Sequence, residues 1–179
     1  DWDTAMSVFT SHQAQVLMGS IASSQERIDG GWFFSHSFYD GVTQSMAMEP
    51  SSDTNTLEDL AGKAVAVVSG TLGAAYAESV KDKYGFSIAT FSDSHSMYAA
   101  VLKGRAAACF EDTPALRDSI AGGVALELVP GSEGAASDYC VAICDEKDRP
   151  FLELFNQGLA NIRANGIYDA ILAKYADTL

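Results

Sequence analysis

The chain has 179 residues, of which 47% are hydrophobic, 20% charged and 10% aromatic. That mixture excludes a disordered segment and suits one globular unit, or two small lobes, burying about 70% of the surface the unfolded chain exposes. With 11 Lys and Arg against 24 Asp and Glu, the net charge of −13 opposes nucleic-acid phosphates and anionic lipid, and plain solubility accounts for it.

No apolar run approaches the roughly 18 residues that a membrane span requires. The chain does not open on a basic-then-apolar leader, so an export signal is expected to have been removed or never present. Cys109, Cys140 and Cys144 form neither a CxxC pair nor a Cys/His metal spacing. If Cys140 and Cys144 share a strand they lie about 13 Å apart, too far for a bridge, and buried free thiols are expected.

In chain order, Met6, Val8 and Phe9 predict a helix, and Val16-Leu17-Met18 a short buried strand ending at Gly19. Ser23-Ser24-Gln25-Glu26-Arg27 predicts a helix start, with hydroxyl caps and an acidic first turn. The aromatic stretch from Trp32 to Tyr39 leads into an alternating strand, Val42 to Met48, and Pro50 to Thr56 predicts a connection. Ala64-Val65-Ala66-Val67-Val68 reads as a buried parallel strand. The loop Ser69-Gly70-Thr71-Leu72-Gly73 follows, then a helix from about Ala74 to Tyr84 that Gly85 stops.

Phe86 to Thr90 predicts a further strand, and Met97, Val101 and Leu102 mark a helical face closed by Gly104. Ala106 to Phe110 predicts a strand reaching Glu111-Asp112, with Thr113 capping the next helix and Pro114 in its first turn. Val124 to Val129 and Tyr139 to Cys144 read as strands around a turn-rich loop, Pro130 to Ala136. Behind Pro150, Leu152, Phe155, Leu159 and Ile162 recur at helical spacing until Gly166, and Ile167, Ile171 and Tyr175 line a last helix. Strands alternating with helices define an α/β fold.

Two places carry candidate chemistry. Between a buried strand and a helix, the Ser69-Gly70-Thr71-Leu72-Gly73 loop offers backbone N–H groups and two hydroxyls to an anion. It lacks the Gly-Lys-Ser/Thr ending of a phosphate loop. Glu111-Asp112 ends a strand, where parallel sheets border their ligand crevice, and helix capping is the alternative role. Arg27 has the fork geometry to grip a carboxylate, although a lone arginine is usually a surface residue. His12, His36 and His95 are scattered without a nucleophile or metal partner.

The order of these segments is more specific than any one of them. Leu17-Met18-Gly19-Ser20-Ile21-Ala22-Ser23-Ser24-Gln25-Glu26-Arg27 and Phe34-Ser35-His36-Ser37-Phe38-Tyr39 resemble the periplasmic amino-acid-binding proteins of bacterial ABC importers. The resemblance continues through Asp59-Leu60-Ala61-Gly62-Lys63-Ala64-Val65-Ala66-Val67 and Ser69-Gly70-Thr71. It runs on through Leu102-Lys103-Gly104-Arg105-Ala106-Ala107-Ala108 and Asp112-Thr113-Pro114 to Asn165-Gly166-Ile167-Tyr168-Asp169-Ala170-Ile171, spanning the chain in family order.

The resemblance implies a two-lobe type II periplasmic-binding-protein fold. Lobe one would combine residues 1–41 and 137–179, and lobe two would be 42–136, with crossings near Phe38 to Val42 and Ala135 to Tyr139. It implies an extracytoplasmic protein that closes on an α-amino acid and is recognised by a membrane permease, with no cofactor, metal, nucleic acid or catalysis. Arg27 would clamp the ligand carboxylate and Asp112 receive its ammonium. Ser69, Gly70 and Thr71 would close on the carboxylate, Trp2 would lie against the ligand side chain, and Gly19, Ser20 and Ala22 would line the pocket.

The chain departs from the family pattern at Ala22, where Thr is usual, at His36, where Asp is usual, and at Val68, where a long polar side chain is common. It is also expected to lack the first β-α-β of lobe one. Alternative readings on the same fold are an amino-acid-sensing ectodomain of a receptor or kinase, a dehydratase-like enzyme with Glu111 as its acid, and a module that only contacts a partner.

Overall fold

The computed structural model describes residues 2–175. Its elements in chain order are α1 (Trp2–Thr10), α2 (Gln25–Asp29), β1 (Phe33–Phe34), β2 (Tyr39–Met48), β3 (Ala64–Val68), α3 (Leu72–Tyr84), β4 (Ser87–Phe91) and α4 (Ser94–Leu102). There follow β5 (Ala108–Asp112), α5 (Thr113–Ala121), β6 (Glu127–Leu128), β7 (Gly134–Tyr139), β8 (Ala142–Ile143), α6 (Arg149–Ala164) and α7 (Ile167–Lys174). They divide into two compact units. One is Thr43–Ala136 with Trp2 and Asp3, and the other is Thr4–Val42 with the residues from Ser137 onward.

The Thr43–Ala136 unit is built on a sheet of order β4-β3-β5-β2-β6. β3 runs parallel to β4 and β5, and β2 runs antiparallel to β5 and β6. Because strand side chains alternate between faces, Val65, Val67, Phe110 and Met46 pack on the α3 side. Ala66, Val68, Cys109 and Ala47 pack on the other, with Met97 of α4 and Leu116 of α5. Both faces are covered, so β2 is buried from Gln44 through Met48 rather than alternating with solvent as the sequence suggests. Gly73 permits the close approach of α3, since a Cβ there would stand 2.7 Å from the Phe110 carbonyl oxygen.

Local caps set the helix ends. Thr71 accepts from the Ala74 N–H at the start of α3, and Gly85 ends it with φ +71°. Asp93 caps α4 through the Ser96 N–H. Thr113 does not cap α5 as expected. Its hydroxyl is turned to β2, donating to the Thr43 carbonyl and bonding the Thr43 and Ser45 hydroxyls.

The second unit has less sheet. β1 and β8 pair antiparallel, Phe33 opposite Ile143, around a small core of Val141, Ile143 and Leu152. Leu17 and Ala22 each add one isolated bridge, to Ala142 and Tyr139. The expected strand Val16-Leu17-Met18 is therefore a single bridge with Met18 exposed, because among the described residues only Ala142 pairs with it. Tyr139 to Cys144 likewise splits into the end of β7 and β8, and Val124 to Val129 shortens to β6. The loop expected over Pro130 to Ala136 ends early, since β7 begins at Gly134 and pairs with β2.

Helix α6 starts at Arg149 with Pro150 in its first turn and buries Leu152 and Leu159, as its periodicity predicts. Ile167, Ile171 and Tyr175 do share a helical spacing, yet all three are exposed. Cys109 and Cys140 are buried, Cys144 is half-buried, and all three thiols are free.

Candidate functional site

In the first unit the end of β3 and the start of α3 present one candidate surface. The Ser69 N–H is held by the Phe91 carbonyl at 2.9 Å, while its hydroxyl makes no hydrogen bond within the described residues. Thr71 spends its hydroxyl internally, donating to the Val68 carbonyl at 2.7 Å while it caps α3. Gly70 turns the loop at φ +68°, and a Cβ there would stand 3.5 Å from the Trp2 indole Nε1. Trp2 packs its ring against the cluster containing Val68 and Met97. No acidic side chain occupies the first turn of α3, so the positive end of its dipole is not offset locally.

Asp112 ends β5, the parallel neighbour of β3, and so stands at the same edge of the sheet as this loop. It occupies the N-cap position of α5 but makes no side-chain cap hydrogen bond. Its Oδ1 instead accepts from Gln44 Nε2 at 2.6 Å. Trp2, Ser69, Gly70, Thr71 and Asp112 thus belong to one unit, with the Gly70 turn beside Trp2 and Asp112 at the shared edge.

Alternation along β5 separates Glu111 from Asp112. Phe110 and Asp112 face α3, whereas Cys109 and Glu111 face α4 and α5. The Glu111 carboxylate accepts from Ser94 at 2.6 Å and from the Tyr98 hydroxyl, which also contacts Ser119 at 3.1 Å. Burial pushes the Glu111 carboxyl above its usual range despite those two donors. The Tyr98 phenol is pushed up as well, by burial and by the adjacent Glu111. Glu111 therefore ties α4 and α5 to the sheet.

The second unit carries Gly19, Ser20, Ala22 and Arg27. Gly19 adopts φ +143°, and it and Ser20 are exposed. Ala22 is buried, and its carbonyl accepts from Arg27 Nη1 at 2.6 Å. Ser24 caps α2 by accepting from the Arg27 N–H. The guanidinium lies 5.3 Å from the Trp32 ring centroid, which holds it by a cation–π contact. Sequence reasoning paired Arg27 with neither Trp32 nor the Ala22 carbonyl.

A cavity of about 450 Å³ in the first unit lies elsewhere, at the opposite end of β3 beside Lys63 and Arg105. Its lysine is already engaged by Asp53 Oδ1 at 3.1 Å and Thr54 Oγ1 at 2.9 Å. Among the described residues no helix is long and apolar enough to cross a membrane, and no three metal-ligating side chains gather.

Two α/β units whose boundaries fall within β2 and β7, one with a helix-opening loop and a carboxylate at one sheet edge, define a type II periplasmic-binding-protein fold. ArgBP from T. maritima, as a mutant crystal structure, matches with a TM-score of 0.84 at 25% identity, over 98% of this chain and 75% of that one. The second substrate-binding domain of an amino acid ABC transporter from Streptococcus pneumoniae is 33% identical, over 97% of this chain and 77% of that one, with a TM-score of 0.62. This chain belongs to that family, the substrate-binding proteins and domains of amino acid ABC transporters. The lysine/arginine/ornithine-binding periplasmic protein of Escherichia coli is 24% identical over 193 residues, which cover 99% of this chain and 70% of the relative. No protein-family model matches the chain.

Proposed function

We propose that this chain captures an α-amino acid outside the cytoplasm for delivery to the membrane permease of an ABC importer. A zwitterion requires one fixed cation and one fixed anion. Arg27 takes the carboxylate and Asp112 the ammonium, with Ser69, Gly70 and Thr71 supplying donors to the carboxylate. Trp2, Gly19, Ser20 and Ala22 shape the surroundings of the side chain.

The observation that carries the reading is the state of Asp112. It stands at the C-terminal end of a parallel strand, at an N-cap position it does not use, with one carboxylate oxygen fixed by Gln44. A carboxylate oriented by Gln44 at the C-terminal end of a parallel strand is suited to a ligand cation. Family membership supports the class of ligand, and the names of the relatives put lysine, arginine and ornithine among the first to try.

The test is calorimetry after a thermal-shift panel of the twenty amino acids and ornithine. Arg27→Ala is expected to weaken the bound amino acid by at least about a hundredfold, as for a lost charged pair, with the fold retained. Asp112→Asn is expected to weaken the amino acid far more than the matching deaminated acid. Equal loss for both would assign Asp112 to structure alone.

A further inference from the structure

Gln44 is fully buried in β2, on the sheet face where the neighbouring Met46 and Phe110 are apolar. It lies directly opposite Asp112 in the β2–β5 register, on the same face, and donates Nε2 to Asp112 Oδ1 at 2.6 Å. The amide can point only this way, because the flipped form would set a carbonyl oxygen against the carboxylate. In this orientation Oε1 finds no donor among the described residues. A methionine or leucine of similar size would fill the space without that orphaned oxygen, so packing does not explain the glutamine.

The surroundings hold the amide in place. A Cβ on Gly73, in the first turn of α3, would stand 3.2 Å from Gln44 Oε1, so the helix backbone closes over the amide. On either side of Gln44, Thr43 and Ser45 are pinned to Thr113, the residue after Asp112, at 2.7 and 2.6 Å. Three consecutive β2 residues thus brace the end of β5.

We infer that Gln44 is a positioning residue for ligand binding: its buried amide fixes the Asp112 carboxylate in the orientation that receives the ligand ammonium. This rests on the amino-acid-binding reading and adds a residue to it. The brace begins at Thr43, the first β2 residue of its unit, so it joins Asp112 to the strand through which the chain enters that unit.

The experiment is a double-mutant cycle on Gln44 and Asp112, read by calorimetric affinity for two probes. The first is the tightest binder among the twenty amino acids and ornithine. The second is the same molecule without its α-ammonium, which for arginine is δ-guanidinovalerate. Gln44→Met is expected to weaken the amino acid about tenfold or more and the deaminated acid less than about twofold. In the Asp112→Asn background the same change is expected to add no further loss.

Should Gln44→Met fail to fold, Gln44→Leu likewise removes the donor, with the same pattern expected. Equal weakening of both probes, or full additivity with Asp112→Asn, would overturn the positioning role while a selective Asp112→Asn effect left the binding reading intact. Binding of no probe by the unaltered protein, or an unselective Asp112→Asn, would overturn both.

Discussion

The two units of this chain bury their apolar surface unequally. In the Thr43–Ala136 unit the sheet is sandwiched between α3 on one face and α4 with α5 on the other, and among the described residues Leu102 is the one large apolar side chain exposed there, at 39%. In the other unit two short strands carry the cluster of Val141, Ile143 and Leu152, and Phe9, Ile21 and Leu159 are buried as well. Met18, Ile28, Phe151, Leu154, Ile167, Ile171 and Tyr175 are exposed there, Leu154 at 68%. Sheet with both faces covered gives every apolar side chain a partner. Helices laid on a two-stranded ribbon leave one side of their stripes in water.

The sharpest way to break that contrast is to damage the better-built unit. Gly73→Val forces side-chain atoms into the Phe110 backbone and is expected to destabilise by about 3 kcal/mol, measured by denaturant titration. Hydrogen exchange should then accelerate at β3 and β5 while Val141 and Ile143 keep their protection. Unchanged protection in β3 would mean that α3 is not seated as described.

A smaller effect concerns pH. Burial raises the Glu111 carboxyl above its ordinary value of 4.5. The stabilisation tied to its protonated form is complete below that value and is lost as pH rises through the elevated one. Glu111→Gln mimics the protonated state, so the unaltered protein should lose stability relative to this variant as pH rises above 4.5. Parallel melting profiles of the two proteins would contradict the assignment. Smallest of all, Leu154→Lys on the exposed stripe of α6 is expected to shift stability by no more than about 0.5 kcal/mol while improving solubility. A large loss of melting temperature would show that the stripe is covered.

Where local chemistry dictates the backbone, the elements were readable from residues. The Ala-Val run of β3, the Thr71 cap with the Gly85 stop of α3, and Pro150 ahead of the Leu152-Leu159 stripe each carry their own instruction. Val16-Leu17-Met18 was misread because a strand needs a neighbour, and period-two patterning does not say whether one is present. Thr113 was misread for a related reason. A hydroxyl next to a proline looks like a cap, but the adjacent β2 strand offered it three oxygens.

The candidate site divides the same way. Asp112 was singled out by its place at a strand end, the Ser69-Gly70-Thr71 loop by its place between strand and helix, and Arg27 by its guanidinium, while the family pattern supplied their roles. Gln44 escaped notice, because between Thr43 and Ser45 a polar letter carries no signal of burial. Its partner sits 68 positions away, and only the β2–β5 register brings the two together. Glu111 and Asp112 looked interchangeable as letters, and the pleat assigned them to opposite faces.

The three thiols offer a built-in clock for the inequality between the units. Cys109 lies wholly inside the larger sheet, where burial and Glu111 push its thiol up and suppress the reactive thiolate. Cys144, half-buried in the other unit, contacts the Phe9 carbonyl and His12. A maleimide added to native protein should therefore tag Cys144 first, with Cys140 slower and Cys109 last. The interval between the first tag and the last times how far one half of the chain can open while the other stays shut.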